Sequence, residues 1–319
     1  MPQNPDPCAL HRALPGRHQA GPAQARLLRA SLSDFARRAA EGTLPLQIAS
    51  PTGALIAGGA GHFHLGAELF LQIGGHTEFS FPNGRLRLDA GAALVVPAKV
   101  LHDEHVQADG PGAAEAFANI VVYAEAGQLS CHLAHEQQPG RPGILHLEAR
   151  RHAQAARLQD WLADAARLGG SPDSPWAEAQ ARALVCAAIT GVLRCLDESP
   201  ADPAQPPEPA LLARARMLIQ NQLGDQQLSV RRLAEQCGCT ADHLSHLFSR
   251  HGGEHLAALI NRLRMERAAR LLLESELSGK EIAWACGFAG PSYFIRTFRQ
   301  HYGTTPQAFR ADVATSAPA

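Results

Sequence analysis

The pattern of apolar and polar positions changes character several times along the chain. In ARLLRASLSDFARRAAEG, apolar residues recur at helical spacing and predict one amphipathic helix upstream of residue 44. Residues 44–148 read instead as short runs of β-type residues between turn signals: LPLQIAS, GALIAGG, ELFLQIGG, TEFSF, LRLDAG, ALVVPA and AFANIVVYAEAG. PNG between TEFSF and RLRL is a hairpin signal, because Asn-Gly readily takes the positive φ of a tight turn. Short strands at such even spacing predict a small antiparallel barrel or sandwich. From about Ala153 to Glu198 the helical period returns, in ARLQDWLADAARL and, after SPDSP, in WAEAQARALVCAAITGVLRCL. The second stretch is apolar over most of its circumference, so it predicts a helix buried against a partner, another subunit being one such partner.

Residues 199–210, SPADPAQPPEPA, contain five prolines and no large apolar residue, which predicts an extended, semi-stiff linker. Beyond it the text is helical throughout. LLARARMLIQNQL is one helix; SVRRLAEQCG follows with Ser229 as its cap; after a turn at Gly238, Thr240 caps ADHLSHLFSRHG. That pair predicts a helix-turn-helix. A long helix, HLAALINRLRMERAARLLLES, carries apolar residues at Leu256, Leu259, Ile260, Leu263 and Leu271 to Leu273. The pattern then recurs: Ser278 to Glu281 is a capping box opening KEIAWACGF, and PSYFIRTFRQHYG follows Gly287. Thr305 and Pro306 start a short last helix, TPQAFR. Two such units on one stiff connector suit DNA, since recognition helices on one face meet major-groove segments about one turn (roughly 34 Å) apart.

Composition narrows the classes. The 319 residues are 45% hydrophobic and 18% charged, as in a globular chain of two ordinary domains. Basic and acidic residues nearly balance at 29 and 30, but from Leu211 onward there are 13 basic against 9 acidic residues, and before it 16 against 21. A neutral chain with an acidic N-terminal half does not fit a purely architectural DNA-binding protein. Lys99 and Lys280 are the only lysines; the other 27 basic residues are arginines. No run of 18 apolar residues suggests a membrane span, and residues 1–23 read as a disordered, proline-rich leader without a signal-peptide core. The seven cysteines form no paired CxxC set, Cys237 and Cys239 reading as small apolar residues, so a reducing cytoplasm is the expected location.

The stretch LSVRRLAEQCGCTADHLSHLFSRHGG with NRLRMERAARLLLESELSGKEIAWACGFAGPSYFIRTFRQHYGTTPQAFR resembles the DNA-binding domain of the AraC/XylS transcription regulators. The resemblance implies seven helices and double-stranded DNA as partner. It places Asp242, Ser245 and His246 of the first recognition helix, and Pro291, Ser292 and Arg296 of the second, against bases. His243, Ser249, Arg250, Tyr293 and Arg299 complete the candidate contact set. His246 stands where arginine is commoner, and Ser249 with Arg250 replaces a more basic pair, so the first unit should contribute modest phosphate affinity. Phe248, Phe288, Phe294, Phe298 and Trp284 read as core, Tyr293 as either core or phosphate contact, and Arg262, Arg264, Arg267 and Arg270 as a solvated face. Arg296 and Arg299 can grip guanine or phosphate bidentately.

In the strand-rich half, His62, His64, Glu68 and Gly75, then Gly91, Pro97 and His102, resemble the two motifs of the cupin barrel, with Lys99 where the second motif usually has glycine. Cupins use the positions of His62, His64, Glu68 and His102 as metal ligands, and such donors suit Mn, Fe, Ni or Zn. The sensory barrels of AraC-type regulators often keep a similar remnant that lines a small-molecule pocket or hydrogen-bonds internally, so effector binding is the preferred role of these four residues and a metal the lesser one. His105, His132 and His135 lie outside the motif and read as surface residues; His76 has no assigned role.

The expected fold class is multidomain α+β: a cupin-like antiparallel β-barrel with flanking helices over 24–150, a helical dimerisation or connector segment over 151–198, and an all-α domain of two helix-turn-helix units joined by a long helix over 211–312. The expected function is a one-component transcription regulator, an activator by preference, with a small-molecule effector in the barrel. Its implied partners are a second copy of the chain and, for an activator, RNA polymerase; no catalytic residue and no membrane partner is expected. The alternative is a cupin metalloenzyme with an appended DNA module.

Overall fold

A computed structural model of the chain describes residues 22–50, 62–107, 117–125, 128–138, 141–169, 174–198, 209–252 and 254–316. The expected leader (except Pro22 and Ala23), the run GALIAGG and residues 199–208 of the linker lie outside them. Two compact units form, one within Met1–Ala54 and Phe63–Ala213, the other within Leu55–His62 and Arg214–Ala319.

In the first unit, α1 (Pro22–Ala40) precedes nine strands: β1 (Leu46–Ile48), β2 (Glu68–Gly74), β3 (His76–Phe81), β4 (Gly84–Asp89), β5 (Ala93–Val96), β6 (Asp103–Gln107), β7 (Ala118–Glu125), β8 (Gln128–Gln138) and β9 (Arg141–Arg151). Two helices follow, α2 (Ala155–Leu168) and α3 (Pro175–Glu198). The strands make a six-stranded sheet, β1-β5-β2-β7-β8-β9, and a three-stranded one, β4-β3-β6. Apart from β1, which pairs β5 in parallel, the described strands pair antiparallel, and they are distributed over two sheets. β6, β8 and β9 fall between the predicted runs. Their charged and histidine-rich sequences, DEHVQ, QLSCHLAHEQQ and RPGILHLEARR, hide the apolar alternation.

Strand geometry explains the layering. Successive side chains point to opposite faces, so Leu69 and Leu71 of β2, with Val95, Ile120 and Val122, pack toward helical residues such as Leu32, Leu158, Leu162, Val185 and Ile189. Phe70, with Leu94, Val96 and Val121, packs instead on Phe79 and Leu88 of the small sheet. Because β2 is buried on both faces, its sequence ELFLQIG shows little alternation. The chain passes from one sheet to the other at Gly75, where φ is +60°. α3 packs against α1 and α2. By length and composition it could cross a membrane, but Ala181, Val185, Ala188, Ile189 and Val192 are fully buried within the unit, so it is a core helix.

The second unit runs α4 (Ala210–Gln222), α5 (Val230–Cys237), α6 (Ala241–Gly252), α7 (Leu256–Glu274), α8 (Gly279–Ala285), α9 (Pro291–Tyr302) and α10 (Pro306–Ser316), the last longer than its motif suggests. The predicted caps are in place. Ser229 Oγ accepts from Arg232 N, Thr240 Oγ1 from His243 N, and Ser278 and Glu281 close a reciprocal capping box. Gly238 and Gly287 end α5 and the turn after α8 with φ of +69° and +73°. Arg264 of α7 is 8% exposed, and its guanidinium donates to Leu223 O (3.1 Å) and Asp225 O (2.7 Å). It also lies 5.6 Å from the centre of the Phe288 ring.

A side chain at Gly287 would meet this clamp. Its Cβ would stand 2.7 Å from Leu223 O and 2.7 Å from the Arg264 guanidinium, in a backbone region that L-residues already disfavour. Gly287→Ala should therefore lower the stability of the second unit by at least about 2 kcal/mol in urea unfolding.

Candidate functional site

Both recognition helices are set by two buried aromatic or aliphatic residues four apart. In α6, Leu244 and Phe248 are wholly buried, which leaves Asp242, His243, His246, Ser249 and Arg250 exposed and Ser245 half-buried. In α9, Phe294 and Phe298 hold the same spacing, and Pro291, Ser292, Tyr293, Arg296 and Arg299 are exposed. Each predicted contact residue of the two helices thus lies at the surface or partly so. Tyr293 serves both of its readings: its ring packs 5.8 Å from Phe288, yet the residue is 48% exposed and carries the Arg296 guanidinium 5.2 Å from its centre. Phe248 and Phe288 are core as expected, whereas Trp284 is only half-buried.

The second unit sorts its cations into two groups. Arg231 pairs with Glu235, Arg232 with Asp225, Arg262 with Glu254 and Glu266, and Arg270 with Glu274. Arg264 and Arg267 are buried, which corrects the expectation that all four arginines of the connecting helix form a solvated face. Among the described residues of this unit, Arg250, Lys280, Arg296 and Arg299 carry no ion pair. Three of these lie on α8 or α9, so uncompensated positive charge concentrates on the second helix-turn-helix.

In the first unit the second candidate set is a buried polar layer between the two sheets. Glu68 opens β2 on the same strand face as Phe70 and faces the small sheet, opposite Tyr123 in register. Its Oε1 lies 3.4 Å from His64 Nε2 and its Oε2 lies 3.3 Å from His102 Nε2. Glu68 is 3% exposed and His102 1%. His102 Nδ1 donates to Val100 O at 2.9 Å, turning Nε2 toward the carboxylates, and Glu104 Oε1 is 3.7 Å from that nitrogen. Burial opposes a charged ring here, but Glu104 and Glu68 outweigh it and push the His102 pKa up to about 10. Aromatic rings enclose the cluster: Tyr123 lies 5.3 Å from His64, and Phe81 and Phe70 lie 6.2 and 6.3 Å from His102.

The structure thus brings together His64, Glu68 and His102 of the predicted four, and the half-buried His62 joins them, its ligand atom lying within 4.8 Å of those of His102 and Glu104. Glu104 and Tyr123 were missed, and the signal that could have found Glu104 is its period-two spacing from His102 at the start of a strand. Lys99, the departure from the second cupin motif, adopts φ +66°, the conformation a glycine would take, and its N–H donates to His64 O at 2.7 Å, joining the two motifs. His132 is buried, contrary to its surface reading; His105 is exposed beside Asp103, and the side chain of His135 lies outside the described residues.

Two substitutions test this geometry. Glu68→Gln should move the NMR titration of His102 below its value of about 10, because one of its two carboxylate partners becomes neutral. Lys99→Gly should leave stability unchanged or raise it by up to about 0.5 kcal/mol in thermal or urea unfolding, since relief of a left-handed strain on the order of 1 kcal/mol is largely offset by the roughly 0.4–1 kcal/mol of unfolded-state entropy that glycine adds.

Known proteins resemble the C-terminal part. The family described as "Helix-turn-helix domain" matches residues 233–312. The uncharacterized HTH-type transcriptional regulator YpdC of Escherichia coli K12 is 36% identical over 86 residues, 27% of this chain and 30% of that protein. The regulatory protein PocR of Salmonella typhimurium is 35% identical over 107 residues, 34% of this chain and 35% of PocR. Each similarity thus spans about a third of the relative's length. Among solved structures, the C-terminal domain of AraT, a response regulator from Geobacillus stearothermophilus, is 30% identical, with 34% of this chain and 88% of that one covered and a TM-score of 0.33. With its capped tandem helices and the matched residues, the C-terminal part of the chain is a helix-turn-helix DNA-binding domain of the AraC/XylS type.

Proposed function

We propose that the chain is a one-component transcription regulator, in which a small molecule bound by the N-terminal unit controls sequence-specific DNA binding by the C-terminal one. The observation that carries the DNA half is the repeated exposure pattern of α6 and α9. Buried pairs four apart turn Asp242, His246 and Ser249 outward from one helix, and Ser292, Arg296 and Arg299 from the other. A helix so presented fits the major groove, and arginine offers guanine or phosphate two donors at once. His243, Ser245, Arg250, Pro291 and Tyr293 complete the proposed interface.

The effector half rests on the buried layer of His64, Glu68, His102, Glu104 and Tyr123, with His62 kept as a fourth motif residue. Charged groups this deeply buried are uncommon unless paired or in use. A cupin-like barrel is the arrangement this reading proposes for the two sheets. A bound ligand acts only through different affinity for two arrangements of the protein. Dimerisation through residues 151–198, where Trp176 stands exposed on the first turn of α3, completes the proposal, together with activation through RNA polymerase in the cytoplasm.

A second reading, a metal-dependent cupin enzyme with a DNA module, has one observation in its favour. The Nδ1–H bond of His102 to Val100 O leaves Nε2 as the ligand-facing atom, the outer-shell arrangement usual for metal-bound imidazole. The ligand atoms of His62, His102 and Glu104 lie within 4.8 Å of one another, and such nitrogen and carboxylate donors fit a divalent transition metal. Regulation is the preferred reading, because the matched relatives are transcription regulators.

The test is selection of bound DNA from a random pool by the purified chain, with metal content read on the same preparation. Two half-sites about one helical turn (roughly 34 Å) apart are expected. Arg296→Ala should weaken binding to the selected site by tenfold or more, about 1–3 kcal/mol, and unchanged affinity would remove Arg296 from the interface. Metal-free protein with full DNA binding sinks the enzyme reading; one equivalent of metal, lost in His62→Ala or His102→Ala, supports it.

A further inference from the structure

Outside both sites, the first unit aligns a thiol, an imidazole and a carboxylate. Cys195, on the last turns of α3, is 2% exposed, and its Sγ lies 3.2 Å from His152 Nδ1. His152 stands just before α2, and its Nε2 lies 3.8 Å from Glu198 Oε2, one turn beyond Cys195. The backbone N–H of Gln154 also points at Nδ1, at 3.1 Å. An N–H donates only to an unprotonated nitrogen, so the ring proton sits on Nε2 toward Glu198, and the lone pair on Nδ1 is shared between the Gln154 N–H and the thiol. Arg194 donates to Glu198 through Nε (3.0 Å) and Nη2 (2.6 Å), fixing the carboxylate from its far side. Nucleophile, base and orienting carboxylate stand in order, the arrangement by which a base activates a thiol.

We propose that Cys195 is an oxidation site for hydrogen peroxide, with His152 as its general base and Glu198 as the positioning residue. The reagent follows from burial: the sulfur is almost closed to solvent, so a water-sized oxidant is favoured over a bulky electrophile. The sulfur lone pair attacks one peroxide oxygen, an S–O bond forms and the O–O bond breaks. The thiol proton passes to His152 Nδ1 and on to the departing hydroxide, which leaves as water. Sulfur is oxidised to sulfenic acid and the peroxide is reduced. The helix C-terminus disfavours a standing thiolate, which is why a base acting during attack matters more than a preformed anion. An added oxygen has no room in this packed corner, so it presses on the end of α3, immediately before the chain segment 199–210 that leads to the DNA-binding domain. The inference is independent of the effector and DNA readings.

Cys186 supplies an internal reference on the same helix. It is more exposed than Cys195, and its thiol donates only to Ala36 O at 3.5 Å. Exposure alone would have Cys186 react first; the proposal has Cys195 react first. The full chain is treated with dilute hydrogen peroxide and quenched at intervals into denaturant containing a 1,3-dione that traps sulfenic acid, so that the trap reaches both sulfurs after unfolding, and the adducts are mapped by mass spectrometry. The expected result is an adduct at Cys195 forming faster than at Cys186, and slowed about 100-fold in His152→Gln. Glu198→Gln, at an exposed position that leaves folding intact, should slow it several-fold while Cys186 is unchanged. Equal or faster labelling of Cys186, or Cys195 labelling unaltered by Glu198→Gln and by a His152→Gln protein of native circular dichroism, overturns the assignment.

Discussion

The second unit is organised around arginines that close helix ends. A helix leaves its last carbonyls without intrahelical partners, and a buried guanidinium needs acceptors for its donors. Arg264 answers both needs: Leu223 O at the end of α4 and Asp225 O in the following turn take its N–H groups, while Phe288 lies close by. Burial lowers its pKa from the ordinary arginine value, yet arginine starts so high that the charge persists. Arg310 repeats the device on the connecting helix, donating to Leu272 O, Ser275 O and Leu277 O. The helix that follows each helix-turn-helix is therefore tied to the helix that precedes it, and the buried Arg264 cannot leave its acceptors without remaining unpaired, a loss of several kcal/mol. Lysine at either place would lack the fork that reaches two carbonyls at once.

A frame fixed in this way lets the outward faces differ without altering the fold. α6 and α9 share their buried spacing, but α6 shows a carboxylate and imidazoles where α9 shows arginines. Most of the arginines on the connecting helix are either neutralised by carboxylates one turn away or buried. In the proposed function, long-range attraction to phosphate falls to few residues, mostly on the second helix-turn-helix, while the exposed carboxylate of Asp242 on the first offers an acceptor to a base amino group.

How far the chain could be read in advance follows the range of the interaction involved. Caps are local, so Ser229, Thr240 and the Ser278–Glu281 box were legible with their partners. Phe294 and Phe298 announced their burial by spacing alone. Arg264 and Arg267 did not, because a guanidinium becomes a core residue only through carbonyls about forty positions away, as with Leu223. β8 and β9 were hidden because histidines and charges interrupt the apolar alternation of their sequences and their backbone pairing is set by the neighbouring strand, and His132 was misplaced for the same reason. Glu68, His64 and His102 were legible as a motif, but Glu104 and Tyr123 join them only through sheet register.

The first unit keeps features that stability alone would remove. Between its sheets the middle is apolar, with Phe70 edge-on to Phe79 at 4.9 Å. At one end of the same layer a carboxylate and two imidazoles are buried, where well-packed apolar residues would serve stability equally or better. Close by, Lys99 holds a glycine conformation at positive φ, and its N–H ties the loop before His102 to His64. Strain and buried charge at one place are mutually reinforcing evidence, because each costs free energy that a purely structural core has no reason to give up. The middle of the layer is apolar and packed and this end polar and strained, so in the proposed function the division between core and binding site runs within β2, between Phe70 and Glu68.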